Sequence, residues 1–421
     1  MAADRSGRSV LARLRTGLLA DPELTARARA ATDGAEFTRL VLRAAGERGW
    51  TLDRAEVAEA VSQARRERVR LRAAMTGSLG GAILVGVGQT PGLPVLCQAA
   101  EVAGCAPIGI GMHDGEIVVE WCDLRGLSFD EPFFELTISR ALTEPYRQLS
   151  VRWTGLDALL SLGDGGDPAP DCLIFHVSRC GSTLLSRVLG TLPGARAISE
   201  APAIDDLIRA PGIDAATRTR ALRALVGALG RVEPAVAEIP AGPRIVKLDA
   251  WAILDLELLR EAFPNARRVF LYRDPREVIA SQMRMRGTQM IPGLFGRQAL
   301  ADASLSGEEY CAAVLDRFAD AALSGLGDRD LLVAYDELPG AVLTRVMPHI
   351  GVAPSASAAA SIRATAAGDA KTPGLPFERD RHAAERPITQ RIEAAARRLA
   401  WSSYERLECR RRAQVAGERV A

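Results

Sequence analysis

Short unbroken apolar runs alternate with amphipathic stretches of helical period along this chain, most regularly from residue 171 onward. Leu173–Val177 is a continuous apolar run between Asp171 and the turn-forming Ser178-Arg179-Cys180-Gly181, the pattern of a strand buried on both faces. Ser182 and Thr183 open a helix on which Leu184, Leu185, Val188 and Leu189 recur at helical spacing, and Pro193-Gly194 ends it. Ala195–Ile198 gives a second short strand, and a helix over 214–229 follows. The rhythm repeats with a strand at Arg244–Lys247, a helix at Ala250–Phe263, a strand at Val269–Tyr272 and a helix from Pro275. A helix at Glu308–Leu323 and a strand at Leu331–Tyr335 complete it. Strands alternating with helices predict an α/β fold, a parallel sheet flanked by helices.

The first 170 residues read differently. Four helices are expected before residue 75, with Leu11, Leu14, Leu18 and Leu19 on one stripe and Phe37, Leu40, Val41 and Ala44 on another. Asp21-Pro22 starts the second helix, and Gly49-Trp50-Thr51-Leu52-Asp53 caps the fourth, which runs into the basic stretch Arg65–Arg72. Residues 79–114 are apolar and Gly-rich, but neither Gly86-Val87-Gly88 nor Gly109-Ile110-Gly111 completes a dinucleotide fingerprint, so a linker or an irregular packed segment is expected. Regular structure resumes with a strand at Ile117–Trp121 and a helix at Pro132–Ala141. The expected organisation is a helical domain at 1–78, the linker at 79–114, and an α/β domain at 115–421 with its core at 171–351. Residues 388–413 form an Arg-rich amphipathic helix with a largely solvated face.

A chain of 421 residues, 48% of them hydrophobic, has ample core for more than one domain. Its net charge of +1 argues against a nucleic acid held by bulk electrostatics. Seven scattered cysteines without a C-x-x-C pair suit reduced thiols in a cytoplasmic protein. No signal peptide and no apolar run of membrane-spanning length is visible, so no membrane partner is expected.

The candidate chemistry lies where the first α/β strand meets its helix. A tight Gly-containing turn at a helix N-terminus aims unpaired backbone N–H groups and the helix dipole at one spot, which suits an anion. The residues are Ser178, Arg179, Cys180, Gly181, Ser182 and Thr183. A nucleotide-triphosphate loop would carry Lys-Ser/Thr in place of this sequence, whereas an arginine with hydroxyls suits a phosphosulfate held without an obligatory metal. Glu200 and Lys247 each end an apolar strand on the edge where open α/β sheets bind ligands. Arg273 leaves the next strand, and Ser281 follows on its helix, placed to converge with it on a second phosphate. His176 reads as a core histidine of the first strand.

The segment S-R-C-G-S-T-L-L resembles the 5′-phosphosulfate loop of sulfotransferases that use 3′-phosphoadenosine-5′-phosphosulfate (PAPS). R-D-P-R-x-x-x-x-S after F-P-N-A-R resembles their 3′-phosphate motif, and Y-D-E-L-P their segment after the last core strand. Motif spacing is nearest to the protein-tyrosine sulfotransferases. The resemblance implies a P-loop-type fold, PAPS as cosubstrate with no metal, and in-line displacement at sulfur. It implies Glu200 as the base, with Lys247 and Arg179 on the transferred group, and Lys371 in a basic loop over the nucleotide. Other branches use a histidine base, which makes His176 the alternative. Residues 1–80 resemble the nif-type leader domain of ribosomally made, modified peptides. A P-loop kinase or nucleotide hydrolase and a non-catalytic nucleotide-binding scaffold remain open beside the transferase reading. The acceptor is undetermined among peptide, carbohydrate and small molecule.

Overall fold

The computed structural model describes residues 9–31, 33–74, 96–113, 115–163, 169–232, 242–294, 299–353, 355–368 and 387–418. The chain forms two compact units, one of residues 1–168 with 201–237, the other of residues 169–200 with 238–421.

The first unit opens with helices Val10–Ala20, Pro22–Ala30, Gly34–Glu47 and Arg54–Ala74. Ser9, Asp21 and Asp33 cap the first three by accepting from Ala12, Leu24 and Glu36 backbone N–H groups at 3.2, 2.9 and 2.7 Å. Their apolar stripes meet in a buried cluster of Leu11, Leu14, Leu24, Phe37, Val41 and Val57, which Tyr146 and Leu149 complete from the helix Pro145–Ser150. The helical segment therefore does not close its own core at residue 78.

Strands β1 (Ala106–His113), β2 (Glu116–Cys122) and β3 (Arg152–Gly155) form an antiparallel sheet in that order. β1 lies where a linker or an irregular packed segment was expected; the earlier part of that stretch, 79–95, falls outside the described residues. Its Gly109 makes room for a side chain. A Cβ on Gly109 would sit 2.9 Å from the Arg72 guanidinium. Arg72 and Arg68 reach the fully buried Glu120 of β2 at 2.9 and 2.6 Å. Asp123, also buried, holds Arg29 at 3.1 Å and Arg125 at 2.7 Å and accepts from the Tyr146 hydroxyl at 2.8 Å. On the open edge of β1, the Ile110 N–H donates to Asp206 Oδ2 at 3.1 Å from the helix Pro202–Arg209.

The second unit holds β4 (Cys172–His176), β5 (Arg196–Ser199), β6 (Arg244–Lys247), β7 (Arg267–Tyr272) and β8 (Leu331–Ala334). All pair in parallel in the order β5-β6-β4-β7-β8, the α/β sheet flanked by helices that the alternation predicts. Leu173, Ile174, Phe175, Phe270 and Leu271 are wholly buried, as strands covered on both faces require. The stretch expected as one helix from Ala250 is a 3₁₀ segment, Ala250–Asp255, leading into the α-helix Leu256–Ala262. The Arg-rich C-terminal stretch is likewise two helices, Gln390–Leu399 and Trp401–Glu418, broken at Ala400. Among the described residues no helix is long and apolar enough to cross a membrane.

Candidate active site

After β4 the chain builds β5 and β6 on one side and then β7 and β8 on the other, so the carboxyl end of β4 is the switch point where an open parallel sheet leaves a crevice. The loop after β4 occupies it. Ser178 (φ +67°), Arg179 (φ +53°) and Gly181 (φ +84°) are all left-handed, which curls successive backbone N–H groups inward and delivers the chain to the helix Ser182–Gly190. Gly181 is required twice over: besides its φ, a Cβ there would lie 2.6 Å from Leu338 Cδ1 and 3.2 Å from Tyr335 Cδ2.

The loop residues divide their tasks. Cys180 turns into the core, its Sγ donating to the Leu271 carbonyl at 3.3 Å while burial pushes the thiol up to about 11, so only its backbone faces the crevice edge. Arg179 Nη2 donates to the Met285 carbonyl at 2.9 Å, tying the loop to the end of the helix Pro275–Arg284. Ser182 and Thr183 lie buried at the helix start. Gln282, absent from the sequence-derived set, is fully buried; it donates to Ser178 Oγ at 3.4 Å and accepts from the Gly287 N–H at 2.7 Å. Nothing in the sequence marks it beyond its place next to Ser281.

Glu200, Lys247 and His176 come together across β5, β6 and β4. The register sets Lys247 beside Ser199 and Ile174. Lys247 is completely buried, with its Nζ 2.8 Å from Glu200 Oε1 and donating to Thr183 Oγ1 at 3.3 Å. The lysine missing from the loop's own sequence thus reaches it from a neighbouring strand. Glu200 is itself left-handed (φ +52°), its N–H donating to the Lys247 carbonyl at 2.7 Å. Burial opposes ionisation of Glu200, but the Lys247 charge and the His176 ring overcome it and hold the carboxyl well below the ordinary range.

His176 Nδ1 accepts from the Ser178 N–H at 2.9 Å, which fixes the ring proton on Nε2, 3.4 Å from Glu200 Oε1. Burial keeps the imidazole neutral by lowering its pKa. A ring with one nitrogen accepting and the other protonated has no lone pair left for a substrate proton, which counts against His176 as the base.

Just past β7, Arg273 is nearly buried; its Nε pairs with Glu277, and its guanidinium carbon lies 4.0 Å from the centroid of the Tyr335 ring. Ser281 is buried on the following helix. Lys371 lies outside the described residues.

No curated protein matches the chain. Among solved structures, the sulfotransferase domain of the curacin biosynthetic pathway aligns with 56% of this chain and 98% of its own, at 16% identity and a TM-score of 0.35. The sulfotransferase STF9 of Mycobacterium avium aligns over 61% of this chain and 82% of its own, at 15% identity and a TM-score of 0.37. A sulfotransferase of Alicyclobacillus acidocaldarius aligns over 56% and 99%, at 15% identity and a TM-score of 0.26. These likenesses are distant, and the family match carries the assignment instead. Residues 170–353 match the Sulfotransferase family, enzymes that move a sulfuryl group from a donor to an acceptor, and the sulfotransferase reading rests on that match.

Proposed function

We propose that the sulfuryl donor is PAPS, with Ser178–Thr183 around its 5′-phosphosulfate, Arg273 and Ser281 on its 3′-phosphate, and Glu200 as the base that takes the acceptor's proton. The observation that carries this reading is Lys247 Nζ standing between Glu200 Oε1, at 2.8 Å, and Thr183 Oγ1, at 3.3 Å, one cation shared by a carboxylate and the anion loop. The residues fit such a donor. The left-handed loop and the helix start provide N–H donors for a terminal anion, and Lys247 adds charge without any Lys-Ser/Thr pair in the loop.

When bound, the donor would supply an electrophilic sulfur on a phosphate leaving group. Glu200 is ionised at neutral pH and so can accept a hydroxyl proton, but its basicity stays low while Lys247 rests on it. An anion in the loop competes for the same ammonium. As Lys247 turns toward the Thr183 side, Glu200 loses its counter-charge and its affinity for a proton rises, so the base strengthens only when the loop is filled. His176 accepts from the Ser178 N–H and stands with its Nε2 3.4 Å from Glu200 Oε1. Arg179 and Lys247 then neutralise charge on the departing phosphate.

Calorimetric titration with adenosine 3′,5′-bisphosphate and with ATP in magnesium tests the donor. The bisphosphate should bind at least about tenfold more tightly, a difference of ~1.4 kcal/mol. Tighter binding of ATP would return the chain to the kinase or hydrolase reading. A screen of peptides, sugars and phenols with labelled PAPS, read as mass gain of one sulfo group, then identifies the acceptor class.

A further inference from the structure

Tyr335 is the first residue of a 3₁₀ turn, Tyr335–Glu337, at the carboxyl end of β8. The turn is tied down. Glu337 Oε2 accepts from the Ala334 N–H at 2.9 Å, and its Oε1 meets Arg345 at 3.0 Å and Arg411 at 3.1 Å. The Leu338 N–H closes the turn on the Tyr335 carbonyl at 3.1 Å. From this fixed base the tyrosine ring touches two separate parts of the candidate site. The Arg273 guanidinium carbon lies 4.0 Å from the ring centroid, and the ring edge stands where it would meet a Cβ on Gly181 at 3.2 Å.

A guanidinium over an aromatic face is held in one plane, so its in-plane N–H donors keep a fixed direction. Arginine recognises a phosphate through that planar fork. Glu277 grips Arg273 at Nε. The arginine therefore has both a face contact and an edge contact, and little remains to be ordered when an anion arrives. Contact with Gly181 sets the same ring against the other anion position. One rigid side chain thus gauges the separation between the loop and Arg273.

We infer that Tyr335 is a positioning residue that holds Arg273 for the donor's 3′-phosphate and fixes its distance from the 5′-phosphosulfate loop, selecting a 3′,5′-bisphosphate nucleotide over one lacking the 3′ group. This rests on the reading that Arg273 takes the 3′-phosphate.

The test compares affinities for adenosine 3′,5′-bisphosphate and adenosine 5′-monophosphate in the full chain. Tyr335→Met should lower the affinity for the bisphosphate about tenfold and that for the monophosphate less than about twofold, while Tyr335→Phe, which keeps the ring, should leave both unchanged. In an Arg273→Ala background, Tyr335→Met should no longer alter the ratio of the two affinities. Should Met not fold there, trifluorophenylalanine at 335 keeps the ring's shape while withdrawing charge from its face, and should reproduce the selective loss. Equal losses for both ligands, or an unchanged ratio, would make Tyr335 a packing residue for Gly181 and overturn the inference. A wild-type protein that does not distinguish the two nucleotides would instead overturn the donor reading itself.

Discussion

Glu200 combines a left-handed backbone, a buried lysine partner and a neutral histidine beside its carboxylate. Glu200→Gln keeps the size and removes the proton acceptor, so donor affinity should stay near wild type while turnover of an identified acceptor falls about a hundred- to ten-thousand-fold. Wild-type turnover would make the carboxylate structural, and loss of donor binding would make it a support for the loop. Because Glu200's folded pKa is depressed, the stability it gains from Lys247 is present above the ordinary carboxylate range and fades only as pH falls toward the folded value. Arg179→Ala should weaken binding of adenosine 3′,5′-bisphosphate about ten- to a hundredfold, the scale of a charge-assisted contact. Unchanged affinity by calorimetry would confine Arg179 to its bond with the Met285 carbonyl.

A buried carboxylate meets the edge of β1. Asp206 accepts the Ile110 N–H from the helix Pro202–Arg209, and burial pushes its carboxyl up to about 7. A folded pKa raised above the unfolded one gives stability that is full in acid and is lost as pH rises through the folded value. Asp206→Asn keeps an accepting oxygen and cannot ionise, so its stability relative to wild type should rise between pH ~4, where the unfolded carboxyl begins to ionise, and pH ~7, and then level off, in urea denaturation. A difference independent of pH would show that Asp206 is already ionised across that range. This contact was invisible in the sequence, as was the strand it protects. Gly109-Ile110-Gly111 lacks the β-branched pattern of a strand, and the reason for Gly109, the Arg72 guanidinium, lies in a helix many residues away. The segments 171–200 and 244–286 were legible because strand, turn and helix follow one another locally, and the site residues other than Ser281 stand at or next to an element end. Register carried the rest. Only the pairing of β6 with β4 and β5 puts Lys247 beside Thr183 and Glu200, and only three-dimensional packing fixes the tautomer of His176.

Within the first unit, the N-terminal helices supply what the sheet needs as well as a core of their own. Arg68 and Arg72 neutralise the buried Glu120, and Arg29 helps to neutralise Asp123. Deleting residues 1–74 would strip those partners and uncover Tyr146 and Leu149. Breaking a buried ion pair from one side costs about 3–5 kcal/mol, so the shortened chain should aggregate or lose cooperative unfolding. An autonomous leader-like segment predicts the opposite, a remainder that melts at the wild-type temperature in differential scanning calorimetry.

The three non-glycine residues with positive φ among those described, Ser178, Arg179 and Glu200, all lie at the candidate site. Each holds a conformation that costs an L-residue about 1–2 kcal/mol, against about 0.5–1 kcal/mol for the extra chain freedom of glycine. A library selected for heat tolerance alone, with no substrate present, should therefore drift toward glycine at these positions and become inactive as it becomes hardier. The map of where it drifts would mark the reactive centre without an assay for the reaction.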